Sequence, residues 1–300
     1  MTKYKKLIVT MVVVCAVCAL LGSGSVDASG INFEVADHYE LVLPEAKYLP
    51  TNSLVQYGYW NNDRKMYDKD GHKVDGPGTD TYVGITKYAR AGEFESFPGV
   101  GWMCGVIIPE IRIKGSSVSL SGIGDPYLFW LAMFNPTPKS TFGVEYFVQT
   151  PIGNDEVTND YWAHIFNFWY GVNMGKVDFS VELGGVFRSD RKKSGEHDLN
   201  PGDTFYTNVR LGYRITKLVE PFVAFDHERT GRAIDEVTRE KVTGPDAFML
   251  KSDSHEMTLG AGLIFYLKDT LNLSMRYSRS IDGKNTIVTD TIHARLIYFW

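Results

Sequence analysis

The sequence is poor in cysteine and, beyond its first residues, lacks a long hydrophobic run. Cys15 and Cys18 lie in an N-terminal apolar segment, so a processed chain keeps only Cys104. A single cysteine excludes an intramolecular disulfide and a cysteine metal site. The longest later apolar stretch, 127–134, is far shorter than the roughly 20 residues that a transmembrane helix needs. If this chain lies in a membrane, it must cross with β-strands.

Catalytic and cofactor motifs are also missing. There is no Walker loop, no dinucleotide fingerprint, no Gly-x-Ser-x-Gly elbow and no metal-ligand spacing of histidines. Asp226 and His227 are the obvious acid–base pair, but neighbours on a regular strand point to opposite faces. His164, predicted outward, and His293, predicted inward, are interpreted as structural residues. We therefore expect no enzymatic activity, no cofactor and no metal.

The N-terminus is typical of a secretory signal. Three lysines within residues 1–6 precede an apolar run at 7–21, and small residues follow up to Val26-Asp27-Ala28. Cleavage after Ala28 is predicted; the alternative, a retained membrane anchor, would need a longer run. Removing residues 1–28 deletes three lysines and one aspartate, which moves the formal charge from -5 to about -7. A negative chain of this kind is not expected to bind nucleic acid.

What the sequence does contain is aromatic and glycine residues in a mildly polar background. Aromatic residues make up 13% of the chain, and there are 29 glycines. The mean hydropathy is only -0.17. Helical membrane proteins are far more hydrophobic, so this composition favours a β-rich membrane protein.

Strict alternation near the C-terminus predicts membrane-spanning strands with one lipid face and one water face. Between 270 and 281, for example, Leu273 and Met275 share one face, while Ser274 and Arg276 share the other. The same rule, applied backwards, gives about twelve strands, which favours a transmembrane, antiparallel, up-and-down β-barrel of the all-β class. The predicted strands lie near 52–60, 81–90, 101–113, 124–134, 140–150, 161–173, 176–188, 203–215, 218–228, 255–267, 270–281 and 291–300.

Connection lengths are consistent with a barrel, which has short periplasmic turns and longer outer loops. Short links are expected at 135–139, 174–175, 216–217 and 268–269, and long polar loops at 61–80, 151–160, 189–202 and 229–253. Both termini then lie in the periplasm. We divide the chain into a signal peptide (1–28), a periplasmic extension or plug (29–50) and the barrel (51–300). Trp300, an aromatic residue ending an amphipathic strand, resembles the signal read by the barrel-assembly machinery of Gram-negative outer membranes.

The predicted inner faces carry charges of both signs, and we keep two interpretations. The charges form a polar constriction that selects solutes by size and field, or they pair as a filling that stabilises a narrow barrel; both can hold at once. As a lining, they would be the solute-binding residues. The predicted inward residues are Glu145, Asp178, Glu182, Arg188, Arg210, Arg214, Glu220, Asp226, Glu256, Arg276, His293 and Arg295.

Aromatic residues dominate the predicted outer faces of two neighbouring strands. We interpret them as contacts with outer-membrane lipids and as interfacial girdles, with a groove for a hydrophobic ligand as the alternative. They are Phe142, Tyr146, Trp162, Phe166, Phe168 and Tyr170.

Several short motifs make the chain similar to the outer-membrane family named for the meta-pathway of phenol degradation. The most specific is Gly122-Ile123-Gly124-Asp125-Pro126, a glycine-bracketed Asp-Pro that opens a strand. The resemblance covers most of the mature chain, and it implies a barrel that transports small hydrophobic or aromatic compounds. The other motifs are Lys47-Tyr48-Leu49-Pro50, Tyr67-Asp68-Lys69-Asp70-Gly71, and Gln149-Thr150-Pro151-Ile152-Gly153, which departs from the usual Pro-Thr-Gly order, with the aromatic strand from Tyr161 after it.

Passive passage of small molecules through the outer membrane is therefore the leading hypothesis. The mixed lining favours a polar or small solute, whereas the family resemblance favours a hydrophobic one. An outer-membrane hydrolase of lipid or peptide is an alternative. A structural or surface-binding barrel that makes its contacts through loops 61–80 and 229–253 is another.

Overall fold

The computed structural model describes residues 51–97, 99–116, 118–137, 139–191, 198–243 and 250–300. The predicted signal peptide and the predicted extension at 29–50 lie outside these ranges. No membrane-spanning helix occurs in the part of the chain that the structure describes.

The described residues form sixteen β-strands, of which twelve are long and four are short. The short ones are Ser119–Ile123 (β4), Leu199–Asn200 (β9), Ile234–Asp235 (β12) and Thr286–Ile287 (β15). The long ones are Thr51–Tyr67 (β1), Lys73–Glu93 (β2), Val100–Lys114 (β3), Tyr127–Thr137 (β5), Ser140–Gln149 (β6), Ala163–Asn173 (β7), Val177–Arg188 (β8), Thr204–Tyr213 (β10), Val219–Thr230 (β11), Ser254–Lys268 (β13), Leu271–Lys284 (β14) and Asp290–Phe299 (β16).

The twelve long strands close into a barrel. Each pairs antiparallel with the long strands before and after it in the chain, and β1 pairs with both β2 and β16. Tyr57, for instance, lies opposite Ile85 on one side and Arg295 on the other. Closure removes the free edges that an open sheet would expose to lipid. The prediction of a twelve-stranded, up-and-down antiparallel barrel is confirmed.

Side chains alternate between the lumen and the outer surface, as the period-two rule requires. On β5, Phe129 and Leu131 are buried inside, whereas Leu128 and Trp130 are exposed outside. Successive strands continue an outer aromatic belt, which includes Tyr146 and Phe166 at 4.8 Å between ring centroids. The aromatic residues predicted to point outward do so. Because this belt is exposed around the barrel, it supplies the apolar surface that lipid requires.

The long connections all lie at one end of the barrel, and most of the short turns lie at the other. The short turns at 174–176, 214–218 and 269–270, together with Lys139 between β5 and β6, share one end with Thr51 and Trp300. The described parts of the connections at 115–126, 150–162, 189–203 and 231–253 lie at the other end, which we call the loop end. The predicted rhythm of short turns and long loops is confirmed for these connections.

The predicted long loop at 61–80 is wrong. In its place, β1 and β2 continue as a paired hairpin as far as Tyr67 opposite Lys73, and residues 68–72 form a tight turn. Asp63 points inward and accepts a hydrogen bond from the Thr79 hydroxyl at 2.9 Å. The polar residues of this segment suggested a loop. Outside the bilayer, however, a strand can be polar on both faces and still keep its backbone hydrogen bonds to the neighbouring strand.

Candidate solute pathway in the barrel interior

The charged residues predicted to point inward all lie inside the barrel. Arg188, at the end of β8, and Arg214, in the turn after β10, are partly exposed. Most of the others gather on the consecutive strands from β8 to β16, and Glu145 on β6 is the exception. The inward residues that are at most 8% exposed are Glu145, Asp178, Glu182, Arg210, Glu220, Asp226, Glu256, Arg276, His293 and Arg295. We call the inward residues of β8, β10, β11, β13, β14 and β16 the charged wall.

At the short-turn end, the charged wall forms a compact cluster around Arg214. Its Nε and Nη2 atoms donate to Glu220 at 3.2 and 3.1 Å, and Nη2 lies 3.6 Å from Asp178. The hydroxyl of Tyr266 accepts from Arg214 at 2.8 Å and donates to Glu220 at 3.0 Å. Arg210 packs its guanidinium 4.0 Å from the ring centroid of Phe222. This end of the charged wall is a connected network of opposed charges.

Further from this end, the carboxylates of the charged wall also have partners. Asp226 forms a buried ion pair with Arg276 and accepts from the Thr258 hydroxyl at 2.8 Å. Glu256 accepts from the Thr289 amide at 2.9 Å. Buried carboxylates need such partners, because an isolated charge out of water is strongly unfavourable. These contacts support the interpretation of the charges as a stabilising filling.

The opposite side of the lumen is largely apolar, which the sequence analysis missed. We call it the apolar wall; it comprises the inward residues of β1, β2, β3, β5, β6 and β7. Lys87 and Glu145 lie at its centre, and Lys87 Nζ sits 4.9 Å from the ring centroid of Phe129. Buried side chains of this wall include Val55, Tyr57, Val83, Ile85, Ala89, Met103, Ile107, Tyr127, Phe129, Leu131, Met133, Phe147, Ile165 and Trp169.

A cavity of about 280 Å³ lies beside the apolar wall near the loop end. The strands contribute apolar surface and Arg188, while the loops contribute Asn159, Tyr161 and Lys251. The apolar strand residues that line it include Val83, Ile85, Ile107, Ile111, Tyr127, Phe147, Ile165 and Val186. The interior thus offers one small chamber with an apolar side and a polar roof.

Asp125 fixes one side of that roof. Its buried carboxylate accepts from the amides of Gly153 at 2.9 Å and Asn159 at 2.7 Å. It also accepts from the Thr158 hydroxyl at 2.8 Å and the Gln149 side chain at 3.3 Å. The sequence singled out Gly122–Pro126 only as a family motif. In the structure, the hydrogen bonds of Asp125 hold loop 150–162 against the barrel.

Leu250 and Lys251, near the end of the connection from β11 to β13, form another side of the roof, and Asp253 anchors this part of the connection. The Asp253 carboxylate accepts from Lys241 and Lys284, each at 3.0 Å. Burial raises the pKa of Asp253, but these two hydrogen bonds outweigh it and leave the pKa below its ordinary value. Lys251 lies two residues earlier and reaches the cavity. Burial lowers the pKa of Lys251, although Glu228 and Glu256 oppose the effect.

Residues considered for catalysis or metal binding are not assembled in the lumen. Asp226 is buried inside, while the adjacent His227 lies on the other face, as predicted. His164 points outward, and its Nδ1 atom lies 2.7 Å from the Tyr146 hydroxyl.

The turn after β1 brings Asp68, Asp70 and His72 close enough to surround a metal ion. The Asp68 carboxylate accepts from the amides of Asp70 and His72, both at 2.8 Å. The bond from the His72 amide is the largest cause of the lowered pKa of Asp68. These bonds close the turn and account for the arrangement of the three side chains.

The chain is similar in fold to a solved outer-membrane channel and aligns less well with other solved barrels. A crystal structure of the COG4313 outer-membrane channel from Pseudomonas putida F1 is similar, with a TM-score of 0.68, 13% identity, and coverage of 86% of this chain and 98% of that one. The NanC porin aligns with a TM-score of 0.47 and 7% identity over 83% of this chain and 99% of its own. The β-domain of the Bordetella autotransporter BrkA aligns with a TM-score of 0.47 and 12% identity over 83% and 98%. No curated protein is a significant match to the chain.

A family model described as "Putative MetA-pathway of phenol degradation" matches residues 63–296. The match spans most of the chain, including the strands of both walls, and confirms the resemblance seen in the short motifs. The chain is a twelve-stranded antiparallel β-barrel that belongs to the family described as putative MetA-pathway of phenol degradation.

Proposed function

We propose that the protein is a passive outer-membrane channel for small amphiphilic molecules. The observation that carries this proposal is the division of the lumen into an apolar wall and a charged wall. The aromatic or aliphatic body of a solute moves along the apolar wall, while its polar groups stay near the charged wall or water. This arrangement reconciles a polar lining with a hydrophobic cargo, two properties that the sequence alone left in conflict.

Elementary energetics supports such a path. Apolar surface that leaves water is stabilised by roughly 25 cal/mol per Å², so a single ring gains useful affinity from the apolar wall. In a purely polar pore, the ring would gain no free energy relative to water. Binding at each step must also remain weak enough for the solute to leave, and a wall that contacts only one side of the solute satisfies this condition.

The filling of the lumen limits the solute to small molecules. Lys87, Phe129 and Glu145 are at most 2% exposed, so side chains occupy the interior below the cavity. Passage at this level requires the long side chains of Lys87 and Glu145 to swing aside. The channel therefore favours single rings and short chains over sugars with several residues.

The comparisons support the same proposal. The similar protein from Pseudomonas putida F1 is described as an outer-membrane channel, and the family is named for a pathway that degrades phenol, an aromatic compound. Neither fact identifies the solute of this chain. Together with the apolar wall, they favour aromatic or other hydrophobic cargo.

Flux into liposomes tests the proposal. The mature chain is refolded into vesicles, and uptake is measured for membrane-impermeant aromatic probes of either charge and for arabinose. We expect flux above that of protein-free vesicles, with the aromatic probes faster than the sugar. No flux of any probe, from a barrel whose heat-dependent gel mobility shows correct folding, would contradict a channel and favour a binding or hydrolytic role.

We also propose that the chain is exported by a signal peptide cleaved after Ala28 and inserted by the barrel-assembly machinery through Trp300. Trp300 is exposed on the outer surface, and its ring stacks on Tyr298 at 5.4 Å between centroids. Its backbone pairs with Asn52, beside the seam that closes the barrel. Mature protein should begin at Ser29, and Trp300→Ser should reduce the assembled fraction in the outer membrane. A different N-terminus or unchanged assembly would contradict these two points.

A further inference from the structure

We infer that the cavity at the loop end binds a small organic anion, whose acid group is held by Arg188 and Lys251 while its ring or short chain packs on the apolar wall. The inference rests on the proposed channel function and deepens it, because it assigns a substrate class to the same lumen. Both cations line the cavity and come from separate segments, the end of β8 and the loop before β13.

Arg188 is held in place but keeps donors to spare. Its Nη1 atom donates to the Gly202 carbonyl at 2.6 Å and to the Thr204 hydroxyl at 2.7 Å. Its guanidinium lies 5.9 Å from the ring centroid of Tyr161. Nε and Nη2 make no hydrogen bond, and the side chain no ion pair, with any residue that the structure describes. A planar guanidinium fixed through one nitrogen can present the others to a carboxylate.

Lys251 adds a second cation to the same chamber. The Ser254 hydroxyl donates to its carbonyl at 3.0 Å, which helps to fix the backbone next to the cavity. Its ammonium forms no ion pair within the described ranges, although Glu228, Glu256 and Asp63 are near enough to favour its charge. Arg188 acts on it in the opposite sense. An acid group between the two cations would compensate both their desolvation and their mutual repulsion.

The carboxylate that lines the cavity does not supply that compensation. Asp125 already accepts hydrogen bonds from Gln149, Gly153, Thr158 and Asn159. Its oxygens are therefore committed to holding loop 150–162. A third cation, Arg191, also lines the cavity, but it pairs with Asp160 at 4.0 Å. Arg188 and Lys251 keep donors that no described residue uses, and this composition favours an anion over a neutral or cationic ligand.

The size and lining of the cavity restrict the rest of the ligand. Its volume of about 280 Å³ lies at the lower limit of small-molecule pockets, which span roughly 300–1,000 Å³. Ile85, Ile107 and Phe147 offer a buried apolar seat beside the two cations. A single aromatic ring or a short alkyl chain that carries one acid group fits this combination.

Binding measurements with matched probes test the inference on the refolded mature chain in detergent. Calorimetry compares 4-hydroxybenzoate with neutral 4-hydroxybenzyl alcohol and cationic tyramine. We expect the anion to bind at least tenfold more tightly than either. Arg188→Gln and Lys251→Gln should each weaken its binding by roughly tenfold, the loss expected for one charge-assisted contact, while Lys251→Arg retains it. Arg112→Gln, which removes an exposed cation from β3, is the matched control and should change nothing.

Equal affinities for the three probes, or unchanged anion binding in folded Arg188→Gln and Lys251→Gln barrels, would overturn the inference. The liposome assay separates it from the proposed function. Flux without preference for the anionic probe would be consistent with a channel but would contradict the anion site. Binding of the anion without flux of any probe would support the anion site but contradict the channel function.

Discussion

The two walls of the lumen differ in how their side chains are satisfied. On the charged wall, ion pairs and hydrogen bonds connect residues of neighbouring strands, as Arg276 and Asp226 do. On the apolar wall, side chains such as Ile107 and Phe147 pack through apolar contacts alone and leave a cavity. From this difference we infer that the charges mainly stabilise the barrel, whereas the apolar side provides the space for a solute.

The largest expected effect comes from breaking the charged wall. Arg276→Met should leave the Asp226 carboxylate buried without its ion-pair partner and lower the free energy of unfolding by about 3–5 kcal/mol. Urea titration of the refolded barrel measures this loss. Arg279→Met, on the outer face of the same strand, should change it by no more than about 0.5 kcal/mol. Equal effects of the two substitutions would show that the charged wall is not a stabilising filling.

The next largest effect is expected at the roof of the cavity. Asp125→Ala removes the acceptor for four hydrogen bonds and should destabilise loop 150–162 by about 2–3 kcal/mol. Amide hydrogen exchange of that loop should accelerate accordingly, while the barrel strands remain protected. Asp155→Ala, exposed in the same loop, serves as control. Unchanged amide hydrogen exchange of the loop in Asp125→Ala would contradict the anchoring role of Asp125.

A smaller effect tests the apolar wall itself. Ile107→Thr places a hydroxyl on the wall and should reduce the ratio of aromatic to arabinose flux about fivefold, which corresponds to roughly 1 kcal/mol of lost apolar contact. Ile108→Thr makes the same change on the outer face of β3 and should leave the ratio unchanged. If both variants behave alike, solutes do not follow the apolar wall.

The smallest effect concerns the pH dependence of loop 231–253. The pKa of Asp253 is lowered from 3.8 in the folded protein, so its stabilisation is complete above that value and is lost as the pH falls through the lower, folded value. Because the anchor is partly exposed, we expect no more than about 1 kcal/mol. Hydrogen exchange of the loop at neutral pH should increase modestly in Asp253→Asn. Acid titration should produce the same increase in the unmodified protein only below pH 3.8; release near neutral pH would contradict this anchor.

The sequence predicted one wall far better than the other, for a physical reason. On β13, β14 and β16, water-facing and lipid-facing residues differ in polarity, so the alternation of Arg276 with Met275 is visible. On β5, both faces are apolar, and the segment 127–134 reads as one hydrophobic run. Its strand was predicted, but its inner face could not be distinguished from its outer face.

The cavity was beyond sequence analysis because its parts are distant in the chain. Asp125, Arg188 and Lys251 converge only once the barrel has closed and the loops have folded over it. The sequence placed Arg188 in the lumen, but it carried no signal for Lys251, which lies in a loop. The Asp125 motif did carry a signal, since an aspartate bracketed by glycine and proline is unusual, but not one that revealed its partners.

The most direct test of a divided lumen is the position of a bound aromatic solute. Crystals of the refolded barrel soaked in 4-bromobenzoate would locate the bromine atom by anomalous diffraction. We expect a bromine peak against the apolar wall, near Ile85 and Ile107, with the acid group toward Arg188 and Lys251. A peak among the side chains of β10, β11 and β13 would contradict it.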